Sequence, residues 1–469
     1  MIKAFLDRLF SCEKMVKPQQ IKGPIPPSKS IYARAIDIAW PSALESVLVG
    51  LVSSIDTIMV GTLGPEAIAA VGITTQPRFI FLAIIFSLNA GVTTVVARRR
   101  GEQDVDGANR CLHQSLVLCV ILSIISAGAG VLFAQPMMQF AGAQSDILKD
   151  ATVYFQIVMA GTLFSNISMT INAAQRGVGN TRISMVSNLT ANGVNLVFNY
   201  ILINGKFGFP RLGIVGAAIA TTIGAVVSLV VSLSTVVGYK GFLNCSLHDN
   251  WRFDKKTMGA IWKIWSGALA EQMVSRFGFF AYAKIVANLG TLAFAAHQVC
   301  MNVMNLTFNL GGGFSTAVSS LVGQSLGEKR PDMAKIYVKV TNVLTGLVAI
   351  SCGAALIIFR VPIVRLFTDN MQIVPVSANI VAMIGLFMFL QTTTDVFSGC
   401  LRGAGDARFI AVMSLICIGV IRPASAWILC TPLQLGLYGA WGSFFLDQFL
   451  RWVLVSHRMR KDKWSEIVV

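Results

Sequence analysis

The chain has 469 residues, 54% of them apolar and only 13% charged, with a mean hydropathy of +0.67. A soluble chain of this length carries roughly twice that charged fraction, so the soluble class is excluded, and disorder and a disulfide-rich scaffold go with it. What is left is an integral membrane protein, and its net charge of +16 calls for no nucleic acid if the cations mark one face of a bilayer.

The N-terminal arm, residues 1–30, is basic. Ile2, Phe5, Leu6 and Leu9 share one helical face, which fits either a short helix lying on the inner leaflet or a plain unstructured arm. Beyond it, runs without a charged residue at 111–145, 212–239, 285–327 and 423–446 are each long enough to cross the ~30 Å hydrocarbon core as a helix. Reading the apolar runs between polar breaks gives twelve spans. The first six are 36–60, 77–97, 112–134, 151–174, 183–204 and 213–238; the second six are 260–283, 297–322, 336–359, 374–398, 409–430 and 435–456. The predicted fold is an all-α membrane protein with an N-lobe over 31–240, a cytoplasmic linker over 241–259, a C-lobe over 260–460 and a tail over 461–469. Of the 38 Lys and Arg, 29 fall before span 1, in the segments after even-numbered spans or the span ends that adjoin them, or toward the C-terminus from Arg451 on, which places both termini in the cytoplasm.

The chain repeats itself. An offset of 226 residues aligns Leu63-Gly64 with Leu289-Gly290, Gly101-Glu102 with Gly327-Glu328, and Arg176-Gly177-Val178-Gly179 with Arg402-Gly403-Ala404-Gly405. Each copy has an even number of spans, so the two are parallel repeats related by a pseudo-two-fold along the membrane normal. A cleft between two such lobes suits alternating access. The repeated RGxG sequence reads as a tight turn with a cytoplasmic anchor rather than a phosphate loop, because no strand precedes it and no GK[ST] follows.

Several stretches resemble the multidrug and toxic compound extrusion (MATE) transporters: Asp56 through Gly64, Gln175 through Thr181, Gly208-Phe209-Pro210 with Gly213 through Ala218, Ala295-Ala296-His297-Gln298, and Leu321 through Gly327. The resemblance runs from about Ile36 to Arg458. It implies secondary active export of organic cations and amphipathic toxic compounds in exchange for H⁺ or Na⁺, from a bacterial inner membrane and without a cofactor. The implied partners are small organic cations and the lipid bilayer, and a monomer suffices. A flippase for a lipid-linked saccharide precursor, a related function, is the competing reading. No motif for an enzyme or a nucleotide site is present.

Ionisable groups inside spans cost at least ~2.5–3.5 kcal/mol near a helix centre and are functional candidates by default. Asp56 lies toward the outer end of span 1, and Asn195 and Asn199, one turn apart on span 5, reach a similar depth. One carboxylate with two amides can hold Na⁺, or a desolvated Asp56 can carry a proton. In the DinF-like branch of the family, the matching span-1 Asp and first span-5 Asn belong to the coupling network. The second span-5 position is typically Asp there and is Asn199 here. With a single acid, protonation of Asp56 is the simpler coupling, so H⁺ is favoured, and it would bend or repack span 1 at Pro41. Glu45 and Glu271, repeat equivalents, either line a cytoplasmic mouth or act as braces. Asp395 reads as a helix-end brace near Arg402, and Arg422 before Pro423 as a structural or gating group. His297 and Gln298 are expected at the substrate cavity, His297 through a pore-facing hydrogen bond. NorM-like members carry acids in spans 7 and 10, where Ser275 and Gln391 stand here.

Overall fold

The structure, a computed structural model, describes residues 11–238, 241–245, 251, 253–368 and 370–467; the side chains of residues 53, 54, 57 and 65 also fall outside the description. The amphipathic face of Ile2, Phe5, Leu6 and Leu9 lies outside the described residues. Among those described, the secondary structure is helical throughout.

Among the described residues twelve long helices follow one another: α1 (Ser28–Gly61), α2 (Pro65–Gly101), α3 (Val105–Leu132), α4 (Leu148–Val178), α5 (Thr181–Asn204), α6 (Gly213–Ser234), α7 (Lys255–Ala287), α8 (Thr291–Gly327), α9 (Pro331–Ile358), α10 (Val374–Ala404), α11 (Ala407–Cys430) and α12 (Gly436–Arg460). Eight of these (α1, α2, α3, α4, α6, α9, α10 and α11) are long and apolar enough to cross a membrane. The other four are of similar length but more polar. Asparagines and hydroxyls line α5 and α8, while α7 and α12 carry charges.

Several helices outrun the apolar stretches that announce them, because turn chemistry sets their ends. Pro65 opens α2 twelve residues before the expected start at 77, directly after Gly64 at φ +117°. Its repeat partner Gly290, at φ +103°, opens α8. Gly179 and Gly405 close α4 and α10 in the left-handed region, at φ +95° and +91°, and each returns its N–H to the preceding arginine's carbonyl. The RGxG sequences are therefore helix C-caps. Short helices at Ala134–Phe140 and Arg360–Arg365, again a repeat pair, begin where the third and ninth predicted spans end.

The chain divides into two compact units: Leu44–Trp265, and the chain up to Ala43 together with the chain from Ser266. In the unit Leu44–Trp265, α4 is central, with α2, α3 and α6 against it, and α5 pairs with α6. In the other, α10 takes the central place against α8, α9 and α12, and α11 pairs with α12. Both share one packing plan.

Polar side chains join the helices of the first of these units. Buried Ser168, Ser187, Ser228 and Ser232, from α4, α5 and α6, form a closed ring of hydroxyl contacts of 2.6–3.1 Å. Such bonds hold helices together where lipid offers no hydrophobic drive. In the other unit, Gly399 and Gly403 let α10 approach the Ser315 and Ser319 carbonyls of α8.

The arm also packs within that second unit. The Lys22 N–H donates to the buried Asp332 at 3.2 Å, and Arg330 donates to the Gly23 and Pro24 carbonyls at 3.2 and 3.1 Å. Lys339 Nζ donates to the Met15 carbonyl. Pro41 stands within α1, which continues as helix on both sides of it.

Candidate functional site

Helix α5 brings a polar stripe to α1. Ser184, Asn188, Asn192, Asn195 and Asn199 recur at steps of four, four, three and four, the spacing of one helical face. Asn199, 2% exposed, donates to Asp56 Oδ1 at 2.9 Å. With the Asn195 amide turned so that its nitrogen faces α1, it donates to both Asp56 oxygens at 3.0 and 3.1 Å. Its carbonyl then accepts the Thr221 N–H of α6 at 3.1 Å. The structure therefore gathers Asp56, Asn195 and Asn199 into one cluster, and adds Thr221. No cationic group pairs with Asp56 among the described residues, so amides alone hold the carboxylate. Asn199 Oδ1 is buried and has no hydrogen-bond partner. That oxygen and the carboxylate form a small acceptor set suited either to a proton on Asp56 or to a hard monovalent cation.

Three turns toward the N-terminal end of α1, Glu45 is 8% exposed. Its Oε1 accepts from Ser184 Oγ at 3.0 Å and from Asn188 Nδ2 at 2.5 Å, and faces Arg176 Nη1 of α4 at 3.7 Å. Arg176 also donates to Ser184 at 2.7 Å. The other half repeats the ion pair, with Arg402 Nη2 on Glu271 Oε1 at 2.6 Å. Each glutamate thus takes the RGxG arginine of its own half, a pairing that the offset of 226 implies once either member is known. The aligned repeats themselves were the signal for it.

The remaining candidates belong to the unit that begins again at Ser266. Asp395 lies against Gly311 of α8, where any side chain would collide with its carboxylate, and its Oδ2 has no hydrogen-bond partner. Arg402, near which it was expected to act as a brace, is engaged by Glu271. His297 is 3% exposed in an aromatic cluster, with ring centroids 5.6 Å from both Tyr282 and Trp441, and its Nδ1 has no hydrogen-bond partner. Gln298, the next residue along α8, is exposed.

Arg422 is fully buried. Its Nε donates to Asp447 Oδ2 at 3.1 Å and its Nη2 bonds the same oxygen. The guanidinium lies between the rings of Phe279 and Phe444, at 4.5 and 4.3 Å. Asp447 takes Arg451 as well, at 3.3 Å. Sequence reasoning missed Asp447, whose only signal was that it is an acid inside an apolar span. Just before Arg422, residues Leu415–Ile421 form a wider helical turn in which the Arg422 N–H returns to Cys417. Pro423 offers no N–H there.

A family model described as MatE matches the chain twice, over residues 41–201 and 268–428, so each half carries the family's unit. Among relatives, a "Probable multidrug resistance protein NorM" of Thermotoga maritima is 27% identical over 441 residues, 94% of each chain. An "Uncharacterized transporter YisQ" of Bacillus subtilis is 24% identical over 97% of this chain and 99% of its own. Among solved structures, a MOP superfamily transporter from Pyrococcus furiosus superposes with a TM-score of 0.86 at 21% identity, covering 93% of this chain and 97% of that one. An outward-facing MATE family transporter gives the same TM-score, identity and coverage. The fold is the MATE fold, that of a multi-pass membrane transporter rather than an enzyme, and the chain belongs to the MATE family.

Proposed function

We propose that the protein is an ion-coupled antiporter that exports organic cations and amphipathic toxic compounds by alternating access, with Asp56 as the ion-carrying group and H⁺ as the favoured ion. In this reading all twelve long helices span the membrane as two parallel six-helix repeats, and both termini lie in the cytoplasm of a bacterial cell. The observation that carries it is a membrane carboxylate held by two amides with no paired cation. Such a group can take up and release a cation without breaking an ion pair, so binding and release of an ion can change how α1 packs. The names of several relatives, which describe multidrug resistance proteins, support the substrate class.

Sodium is the second reading. The unpartnered Asn199 Oδ1 beside Asp56 is an oxygen ligand in waiting, which favours it. The flippase reading wants uncompensated arginines for a pyrophosphate, whereas Arg176, Arg402 and Arg422 each meet a carboxylate.

The test is export of ethidium from drug-sensitive cells carrying the chain. Asp56→Asn is expected to remove gradient-driven export. Wild-type export is expected to stop with a protonophore and to persist without sodium. Wild-type export by Asp56→Asn sinks the coupling role, and loss on sodium removal alone transfers it to Na⁺.

A further inference from the structure

The contacts of Asp56 and Glu45 share one register. Glu45 meets Ser184 and Asn188, which lie 139 and 143 residues further along the chain. Asp56 meets Asn195 and Asn199 at the same two separations. Moving eleven residues along both helices therefore superimposes one carboxylate with two α5 partners on another. Eleven residues turn a helix through three turns and advance it about 16 Å, so α1 and α5 run in the same direction here and the two sets occupy one seam. Between them α5 offers half-buried Asn192, while α1 shows half-exposed Leu48 and Val52.

The two sets differ in one charge. Arg176 of α4 faces Glu45, and it is the charged group that the described contacts place there; α5 contributes only the neutral Ser184 and Asn188. The other half of the chain separates the two features. Glu271 and Arg402 keep the ion pair, yet α7 has Tyr282 where α1 has Asp56, and α11 contains no Asn or Gln at all. If the α5 partners of Glu45 served only to brace an ion pair, the second half would need them equally.

We propose that Glu45, with Ser184, Asn188 and Arg176, is the inner station of the coupling proton's route along the α1–α5 seam. The proposal rests on the coupling reading of Asp56. The proton leaves the Asp56 carboxyl, travels along water beside the α5 amides and adds to the Glu45 carboxylate. Glu45 then gives it to cytoplasmic water, and the carboxylate so restored again faces Arg176. Each transfer moves one proton from one oxygen atom to another, and once the proton has reached cytoplasmic water both side chains are carboxylates. Glu45 is a relay here and touches no drug.

The experiment uses everted membrane vesicles, whose medium bathes the cytoplasmic face, with ethidium uptake driven by a pH gradient. Glu45→Gln is expected to slow uptake about tenfold or more, as loss of a proton-transfer group does, and to flatten its dependence on the pH of the medium. Equilibrium ethidium binding by the purified protein should stay unchanged, and Glu45→Asp should restore the pH dependence. Wild-type rate and pH profile in Glu45→Gln overturn the proposal. So does a slower rate with an unaltered profile, or a joint loss of binding and rate, each of which marks a brace. Should Glu45→Gln fail to fold, the Ser184→Ala, Asn188→Leu double variant keeps the Glu45–Arg176 pair. It is expected to show the same flattened profile, and an unaltered one overturns the proposal. Asp56→Asn in the same vesicles keeps the two readings apart: normal uptake there removes the coupling site whatever Glu45 does, while loss there with normal Glu45→Gln removes the inner station alone.

Discussion

At the scale of single residues, Asp447 decides the state of two arginines. It binds Arg422 through two nitrogens and Arg451 at 3.3 Å, and both it and Arg422 are fully buried. Removing one member of a buried pair costs about 3–5 kcal/mol, because the survivor stays uncompensated. Asp447→Leu leaves two cations without their carboxylate and is expected to cost at least that much. Arg422→Leu leaves Asp447 with Arg451 and should cost less. The Arg422→Leu, Asp447→Leu double variant should recover part of the loss of Asp447→Leu. Unfolding midpoints in detergent check the order, and an equal loss in both single variants removes Arg451 from the account. Grouping Asp56 with Asn195 and Asn199 was legible because helical spacing and distance from the membrane face are both written in the chain. The partner of Arg422 was not, since spacing within a helix says nothing about which neighbouring helix turns an acid toward it.

At the scale of helices, small residues set how closely the central helix of each unit is approached. A Cβ on Gly399 or Gly403 of α10 would collide with the carbonyl of Ser315 or Ser319 on α8, and one on Gly177 of α4 would lie 2.8 Å from the Thr93 carbonyl of α2. By contrast, Gly259 of α7 has open space around it. The same substitution should therefore change sign with position. Gly399→Ala is expected to destabilise by about 1–3 kcal/mol through overpacking. Gly259→Ala should stabilise by roughly 0.5–1 kcal/mol through reduced chain entropy. Thermal midpoints of the purified variants on either side of the wild type are the check, and a shift in one common direction refutes the packing argument. The existence and order of the helices could be read from hydropathy. Their ends could not, because Pro65, Gly179 and Gly405 act through backbone geometry, and the wider turn at Leu415–Ile421 needs Pro423 and its surroundings together.

At the scale of the whole molecule, the repeat was legible and the boundary between units was not. Duplication predicts a division in the linker after α6. Instead, the first part of α1, up to Ala43, belongs with the chain from Ser266, and the first part of α7, up to Trp265, belongs with the first half. Sequence similarity records descent, whereas compactness records which side chains touch, and the two part company where a helix passes from one unit to the other. This exchange has a consequence for biosynthesis. The unit Leu44–Trp265 is complete once residue 265 has been made, but residues 11–43 belong with helices at the other end of the chain. At about 5–20 residues per second, the segment synthesised first waits on the order of tens of seconds for the α9 and tail residues it binds, among them Asp332 and Asp462. A chain stopped at residue 330 should accordingly protect 44–265 from protease while leaving 11–22, whose bonds go to Asp332, Lys339 and Asp462, open to cleavage, and protection of both would show that the early segment has a partner made sooner.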